Sequence, residues 1–246
     1  MPADDQERGQ ERGRERILLI AAHPDDVDFG AAGSVAAWTA AGAEVSYCIV
    51  TDGDAGGFDA SVPRAHIPAI RRAEQTAAAG EVGVTDLTFL GYPDGRLEAS
   101  LDLRRDLARV IRQVRPDRVV CPSPERWWER VFASHPDHLA AGEAALCAVY
   151  PDARNPFAFP ELADAGLEAH VVREVWMMAS PRSDTYVDVT ATFDKKLAAL
   201  RAHVSQEIDR DGRLEERLRG WLSINAKRAG WNEGRLAEAF FKLETG

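Results

Sequence analysis

Cysteine is scarce in this chain. Its 246 residues hold 3, Cys48, Cys121 and Cys147, and no two share the short spacing of a metal knuckle or disulfide framework. Cys48 and Cys121 fall in apolar, strand-like runs and Cys147 in a helical pattern, so all three read as small buried hydrophobes in a reducing compartment. Long apolar runs are also missing: none reaches the ~20 residues of a bilayer-spanning helix, which predicts no membrane span. Basic charge is in deficit, with 30 Lys and Arg against 40 Asp and Glu and a net charge of -10. Without a basic face, nucleic acid is not an expected partner. The opening stretch MPADDQERGQERGRER lacks the apolar core of a secretory signal. Residues 1–16 read as a disordered lead-in, and the cytoplasm is the expected compartment. The dinucleotide fingerprint G-x-G-x-x-G is absent after the first strand pattern. Gly30 and Gly33 are there, but HPDD sets acids where a pyrophosphate needs free backbone N–H groups. A nucleotide- or sugar-binding Rossmann-like protein without catalysis is therefore the weaker reading.

What the chain does have is a regular alternation. Short apolar runs predict strands at 16–22, 44–51, 86–90, 117–121, 174–178 and 186–189. Between them lie helical patterns at 30–41, 68–83, 100–114, 137–150 and 193–203, and a last helix is expected over 232–243. Strands alternating with helices predict an α/β fold, a Rossmann-like three-layer sandwich with a mostly parallel sheet and one domain over 17–246. Pro151 to Gly166 reads as a loop, and Glu207 to Arg219 as a solvated helical face. In such sheets ligands bind beyond the carboxyl ends of the strands, where strand order reverses. The loops HPDD, TDGDAGG, GYPDG and PSPERWW all fall there.

Two strings stand out. HPDDVDFG (His23 to Gly30) follows the first strand, and SHPDH (Ser134 to His138) precedes a helix. Pro136 suits a first helical position, which makes His135 the cap and puts His138 three residues on, on the same face. His23 and Asp26 are also three apart. Two imidazoles and a carboxylate with open positions make the donor set of a catalytic zinc site, and also of non-haem iron. Either string alone is explained as a helix cap; their pairing is not.

With these residues in view, the chain resembles the PIG-L/LmbE family of zinc-dependent de-N-acetylases. The resemblance rests on A-H-P-D-D after a near-N-terminal strand and H-P-D-H in mid-chain. T-D-G at Thr51 to Gly53, R-x-x-E at Arg71 to Glu74, and the Lys196 to Gln206 string carrying His203, Ser205 and Gln206 extend it. It implies His23, Asp26 and His138 as metal ligands, with Zn2+ as the cofactor and another divalent metal such as Fe2+ compatible. It implies Asp25 as general base, His135 as a protonated acid or oxyanion-stabilising group, and Asp137 as the carboxylate orienting an imidazole. Arg71 would reach the substrate, Glu74 would support its helix, and His203 would lie at the pocket rim. The implied reaction removes an N-acetyl or related acyl group from an N-acetylglucosamine-type conjugate. The alternative is amide hydrolysis on a thiol-conjugate or antibiotic amino sugar. Homo-oligomers are common in the family and are an expectation here too.

Other residues invite roles. Trp127 and Trp128 stand over the expected pocket, to stack on a sugar or simply to pack their loop. Asp28 reads as a helix cap or supporting acid, Asp52 and Asp54 as turn residues, His66 and His170 as surface. Substrate choice is expected to lie in Arg126 to Ala133 and in Pro151 to His170.

Overall fold

In a computed structural model, residues 14–246 are described. The lead-in expected over 1–16 falls almost wholly outside them; Arg16 already opens the first strand. Seven strands form one sheet: β1 (Arg16–Ala21), β2 (Glu44–Thr51), β3 (Asp86–Tyr92), β4 (Arg118–Pro122), β5 (Glu174–Met178), β6 (Thr185–Asp188) and β7 (Ala237–Glu244). Their order is β3-β2-β1-β4-β5-β7-β6. The β3-β2-β1-β4-β5 block is parallel, and β7 runs antiparallel to both β5 and β6. This is the mostly parallel α/β sheet that the alternation predicts. Strand order reverses between β1 and β4, so the crevice for a ligand opens at their carboxyl ends.

Among the described residues, eight α-helices complete the layers: α1 (Asp26–Gly30), α2 (Ala32–Ala40), α3 (Ile67–Glu81), α4 (Leu101–Val114), α5 (Pro136–Cys147), α6 (Pro160–Asp164), α7 (Phe193–Arg201) and α8 (Leu214–Arg228). β1 is buried on both faces, and its side chains alternate between the two layers. Leu18 and Ile20 join α4 and α5, while Ile17 and Leu19 join α2 and α3. Each of these four is fully buried, worth ~1.5–3 kcal/mol apiece. Cys48 and Cys121 lie inside this core, where burial pushes both thiols up to about 12. No helix of the described residues is long and apolar enough to cross a membrane.

Several expectations need correction. The helix expected over 232–243 is strand β7. Leu236, Phe240 and Leu243 have helical spacing, but the open edge of β5 takes the segment, pairing Met178 with Phe240 and Met177 with Phe241. The run 207–219 is helical only from Leu214: its charged side chains mostly face solvent, while Leu214, Leu218 and the following Leu222 pack against α7. Pro151 to Gly166 is more ordered than a loop, with a π-helical turn at Ala148–Ala153 followed by α6.

Arg112 explains that order. It is fully buried and donates to the carbonyls of Ala153, Asp152, Asn155, Ala158 and Leu167. Arg104 forks onto Asp152 at 2.9 and 2.8 Å. Replacing Arg112 by Met removes a donor from five carbonyls, of which those of Ala153 and Asn155 keep a backbone N–H from His170 and Ala158. One buried unsatisfied group costs about 1–3 kcal/mol, so the urea midpoint should fall by at least that equivalent. An unchanged midpoint would contradict the scaffolding role. His170 is half-buried rather than surface: its Nε2 lies 2.8 Å from the Pro116 carbonyl, at the amino end of β4.

Candidate active site

The end of β1 delivers His23 and Pro24, and the chain then turns sharply at Asp25, whose φ is +88°. A non-glycine residue there is strained by about 1 kcal/mol or more. Three contacts hold it. The Asp25 N–H donates to Gln75 Oε1 at 2.7 Å, and Arg71 Nη2 donates to Asp25 Oδ2 at 3.0 Å and to the Pro24 carbonyl. The Asp25 carbonyl accepts from the N–H groups of Asp28 and Phe29 and starts α1. Asp25 and Asp26 therefore point apart from consecutive positions.

The second string arrives on α5. Gly142 lets that helix press on the end of β4, because a Cβ there would meet the Pro122 carbonyl. Pro136 opens α5, and the His135 Nδ1 accepts from the Asp137 N–H at 3.2 Å, so His135 is its cap.

These two segments meet at the crevice between β1 and β4. His23 Nδ1 lies 3.2 Å from His138 Nε2, His138 Nε2 lies 2.9 Å from Asp26 Oδ1, and His23 Nδ1 lies 3.5 Å from Asp26 Oδ2. Two ring nitrogens and a carboxylate thus converge on one small space, the arrangement a divalent cation needs. The His135 ring brings a third imidazole nitrogen within 4.8 Å of those of His23 and His138.

The other edge of His23 is fixed by acids. Its Nε2 faces Asp94 Oδ1 at 3.0 Å and Asp137 Oδ2 at 3.2 Å. Donation from Nε2 leaves the Nδ1 lone pair aimed at the cluster, a tautomer set by its carboxylate partners. Asp137 is fully buried and accepts from the N–H groups of Gly95 (2.7 Å) and Leu97 (3.2 Å). Gly95 does this at φ +79°, which a side chain would disfavour. Burial raises the Asp137 carboxyl, but His23 and these two N–H groups outweigh it and bring it to about 2.

The charges are built for a cation. Burial lowers the pKa of His23, yet Asp137, Asp26 and Asp94 carry it up to about 12. Burial also opposes ionisation of Asp26, and the His138 and His23 imidazoles override it. These carboxylates favour a positive charge at His23, whether a proton or a cation. That raised value makes proton binding and metal binding compete. Metal binding at pH 7 should release at least one proton per ion, and affinity should weaken as pH falls. Calorimetry in buffers of different ionisation enthalpy checks this; zero proton release would contradict it.

Asp25 differs from its neighbour. Burial first, then the Asp26 charge, raises its carboxyl to about 6, while Arg71 and His203 pull the other way. A carboxylate poised there can accept a proton near neutral pH. His135 is pushed below its usual value by burial and by the His23 and His138 charges. With its Nδ1 accepting from Asp137, a neutral His135 carries its proton on Nε2.

Comparison with known proteins fits this geometry. Residues 18–149 match the family model described as PIG-L, GlcNAc-PI de-N-acetylase. The chain belongs to the PIG-L family. It is 33% identical over 193 residues to the diacetylchitobiose deacetylase of Thermococcus kodakarensis, covering 78% of this chain and 70% of that one. It is 31% identical over 208 residues to a Bacillus anthracis protein named "Probable N-acetyl-alpha-D-glucosaminyl L-malate deacetylase 2", covering 79% and 83%. Among solved structures, the N,N'-diacetylchitobiose deacetylase of Pyrococcus horikoshii superposes with a TM-score of 0.84 at 30% identity, covering 93% of this chain and 84% of that one.

The family's other motifs form scaffolding here. Glu74 accepts from the Ser205 N–H (2.6 Å) and hydroxyl (2.8 Å), tying α3 to the segment after α7. His203 is not at the rim: it is buried, with Nε2 2.8 Å from Asp28 Oδ2. Asp28 also accepts from Gln75 Nε2 at 2.9 Å, so it is a buried support and not the helix cap. Arg71 is only 3% exposed, and its known partners are Asp25 and Pro24, which makes it a positioning residue for Asp25. Asp52 pairs with Arg72, and Asp54 accepts from the Asp94 N–H and Arg64, the loop roles expected of them. His66 is exposed.

Trp127 lines a cavity of about 500 Å3 that also reaches Asp26 and His138. Trp128 points away, 77% exposed. Residues 126–133 contribute four side chains to that lining; residues 151–170 contribute none, contrary to expectation. Two further residues shape the site, Asp94 beside His23 and Gln75 beside Asp25. Asp94 looks like ordinary turn chemistry in GYPDG, and its only signal was the position of that loop at a strand end. Gln75 lies in mid-helix beside R-x-x-E with no signal of its own.

Proposed function

We propose that this chain hydrolyses the N-acetyl group of N-acetylglucosamine-type conjugates, with residues 17–246 acting as one domain. The observation that carries the reading is the convergence of His23 Nδ1, His138 Nε2 and the Asp26 carboxylate, with the Asp25 carboxylate beside them, in a chain of the PIG-L family. Its relatives are named as deacetylases of diacetylchitobiose and of N-acetylglucosaminyl malate.

His23, Asp26 and His138 would hold a divalent cation, and two nitrogens with one oxygen and open positions suit Zn2+. When bound, that cation supplies Lewis acidity that brings the pKa of water down toward ~7. Asp25 takes the proton from the attacking water, held to its task by Arg71 and Gln75. The His135 Nε2–H donates toward the amide oxygen as negative charge develops there. The proton on Asp25 then passes to the leaving amine, because an amide nitrogen departs only once protonated. Asp94 and Asp137 keep His23 in the tautomer with Nδ1 free.

The test is stoichiometric. N-acetylglucosamine glycosides incubated with zinc-loaded protein should yield equal amounts of acetate and free amine. Sugar release without acetate would indicate a different bond and overturn the reading. The acid limb of kcat/KM should fall at or below about 6, since Asp25 must be ionised to act. Activity that persists undiminished at pH 4 would remove Asp25 from the role of base.

A further inference from the structure

The cavity beside the metal cluster has a second chemical character. Besides Asp26 and His138 it is lined by Trp127, Phe132, Trp221 and Leu218, an aromatic and apolar wall. Arg130 and Arg228 belong to the same lining. The Arg130 guanidinium lies over the rings of Trp127, Phe132 and Trp221, at 4.9, 5.0 and 5.6 Å from their centroids. Among the described residues the Arg130 side chain makes no hydrogen bond, which leaves its N–H fork for another partner.

Among the described residues, no carboxylate lies within ion-pair distance of Arg130 or Arg228. The chain is acidic overall, and Arg217 in the same wall is taken by Asp211 at 2.7 and 2.8 Å. Arg130 and the exposed Arg228 line the same cavity, and burial and the Arg228 charge both depress the Arg130 guanidinium. An incoming anion relieves that repulsion and finds a fork suited to carboxylate or phosphate.

We propose that Arg130 and Arg228 form an anion subsite that selects amino-sugar conjugates whose aglycone has an apolar body and a carboxylate or phosphate. The apolar body would lie against Trp127, Trp221 and Leu218. This rests on the deacetylase reading of the adjoining metal cluster. The plainer role for Arg130, pinning its loop to α8, predicts the same effect on every substrate, and this difference can be measured.

The experiment compares three glycosides of one shape: phenyl N-acetylglucosaminide, its para-carboxylate and its para-phosphate. Free amine is followed at low ionic strength with zinc-loaded protein. The wild type should favour a charged form over the neutral one by about tenfold or more in kcat/KM, chiefly through KM. The preference should shrink with added salt. It should collapse toward unity in Arg228→Gln and in Arg130→Met, and persist in part in Arg228→Lys. Whichever charged form gains more names the anion. Equal kcat/KM for the three substrates in the wild type overturns the subsite, as does a preference that survives both neutral substitutions. Amine from the neutral glycoside without anion preference overturns the subsite alone. No amine from any of the three overturns the deacetylase reading as well.

Discussion

Replacing Asp25 by Ala should leave one metal ion per chain and remove most turnover. Asp25 sits next to Asp26 in sequence, but the turn at φ +88° sends the two carboxylates to different partners. Asp26 faces the His23 and His138 nitrogens at 3.5 and 2.9 Å. Asp25 faces Arg71 at 3.0 Å. A general base contributes typically ~10²–10⁴ in rate, equivalent to about 3–5 kcal/mol of barrier. The expected loss in kcat/KM is of that size, with metal content unchanged by elemental analysis. Asp26→Ala should behave differently, losing metal first and activity as a consequence. If Asp25→Ala lost the metal stoichiometrically, the two aspartates would have to exchange roles. Alanine also relieves no backbone strain at φ +88°, so a fall in stability is expected, and the folded fraction must be measured beside the rate.

The second large effect is on stability. Lys196 is fully buried and donates to the carbonyls of Asp28 (2.8 Å) and Phe29 (2.6 Å) and to Glu238 Oε1 at 2.6 Å. Glu238 in turn accepts from the Gly33 and Ser34 N–H groups at 3.1 and 2.7 Å. The pair joins α7 and β7 to the end of α1, the helix that opens with Asp26, and to the start of α2. Lys196→Met leaves the Glu238 carboxylate buried without its cation, a change that typically costs ~3–5 kcal/mol. Against a total stability of about 5–15 kcal/mol, the urea midpoint should drop severely. Adding Glu238→Gln should recover part of the loss, because the uncompensated charge is gone. A midpoint shift worth less than about 1 kcal/mol would show that the pair is not held as described.

How far the sequence could reach depends on the range of the interaction. His23, Asp26, His135 and His138 were legible because each pair is local and carries a spacing of three. The crevice was legible because alternating strands and helices dictate a switch point. The parallel block β1 to β5 followed from the same pattern. β7 was not legible: its apolar residues suit a helix, and only the free edge of β5 decides otherwise. The scaffold behind Asp25 was hidden for a related reason. Gln75 meets Asp25 across 50 residues and His203 meets Asp28 across 175, so no local pattern marks them. His203 and Arg71 carry motif positions that imply a place facing the substrate; burial turns both inward. Asp94 shows the limit of turn chemistry as a guide. An Asp-Gly pair satisfies a turn without further cause, yet this one also faces His23.

The most direct measurement is a zinc titration of metal-free protein, with free amine followed from an N-acetylglucosamine glycoside. The account predicts no turnover without metal, a linear rise, and a break at one zinc per chain. Full turnover in the metal-free protein, or no amine at any zinc ratio, would contradict it.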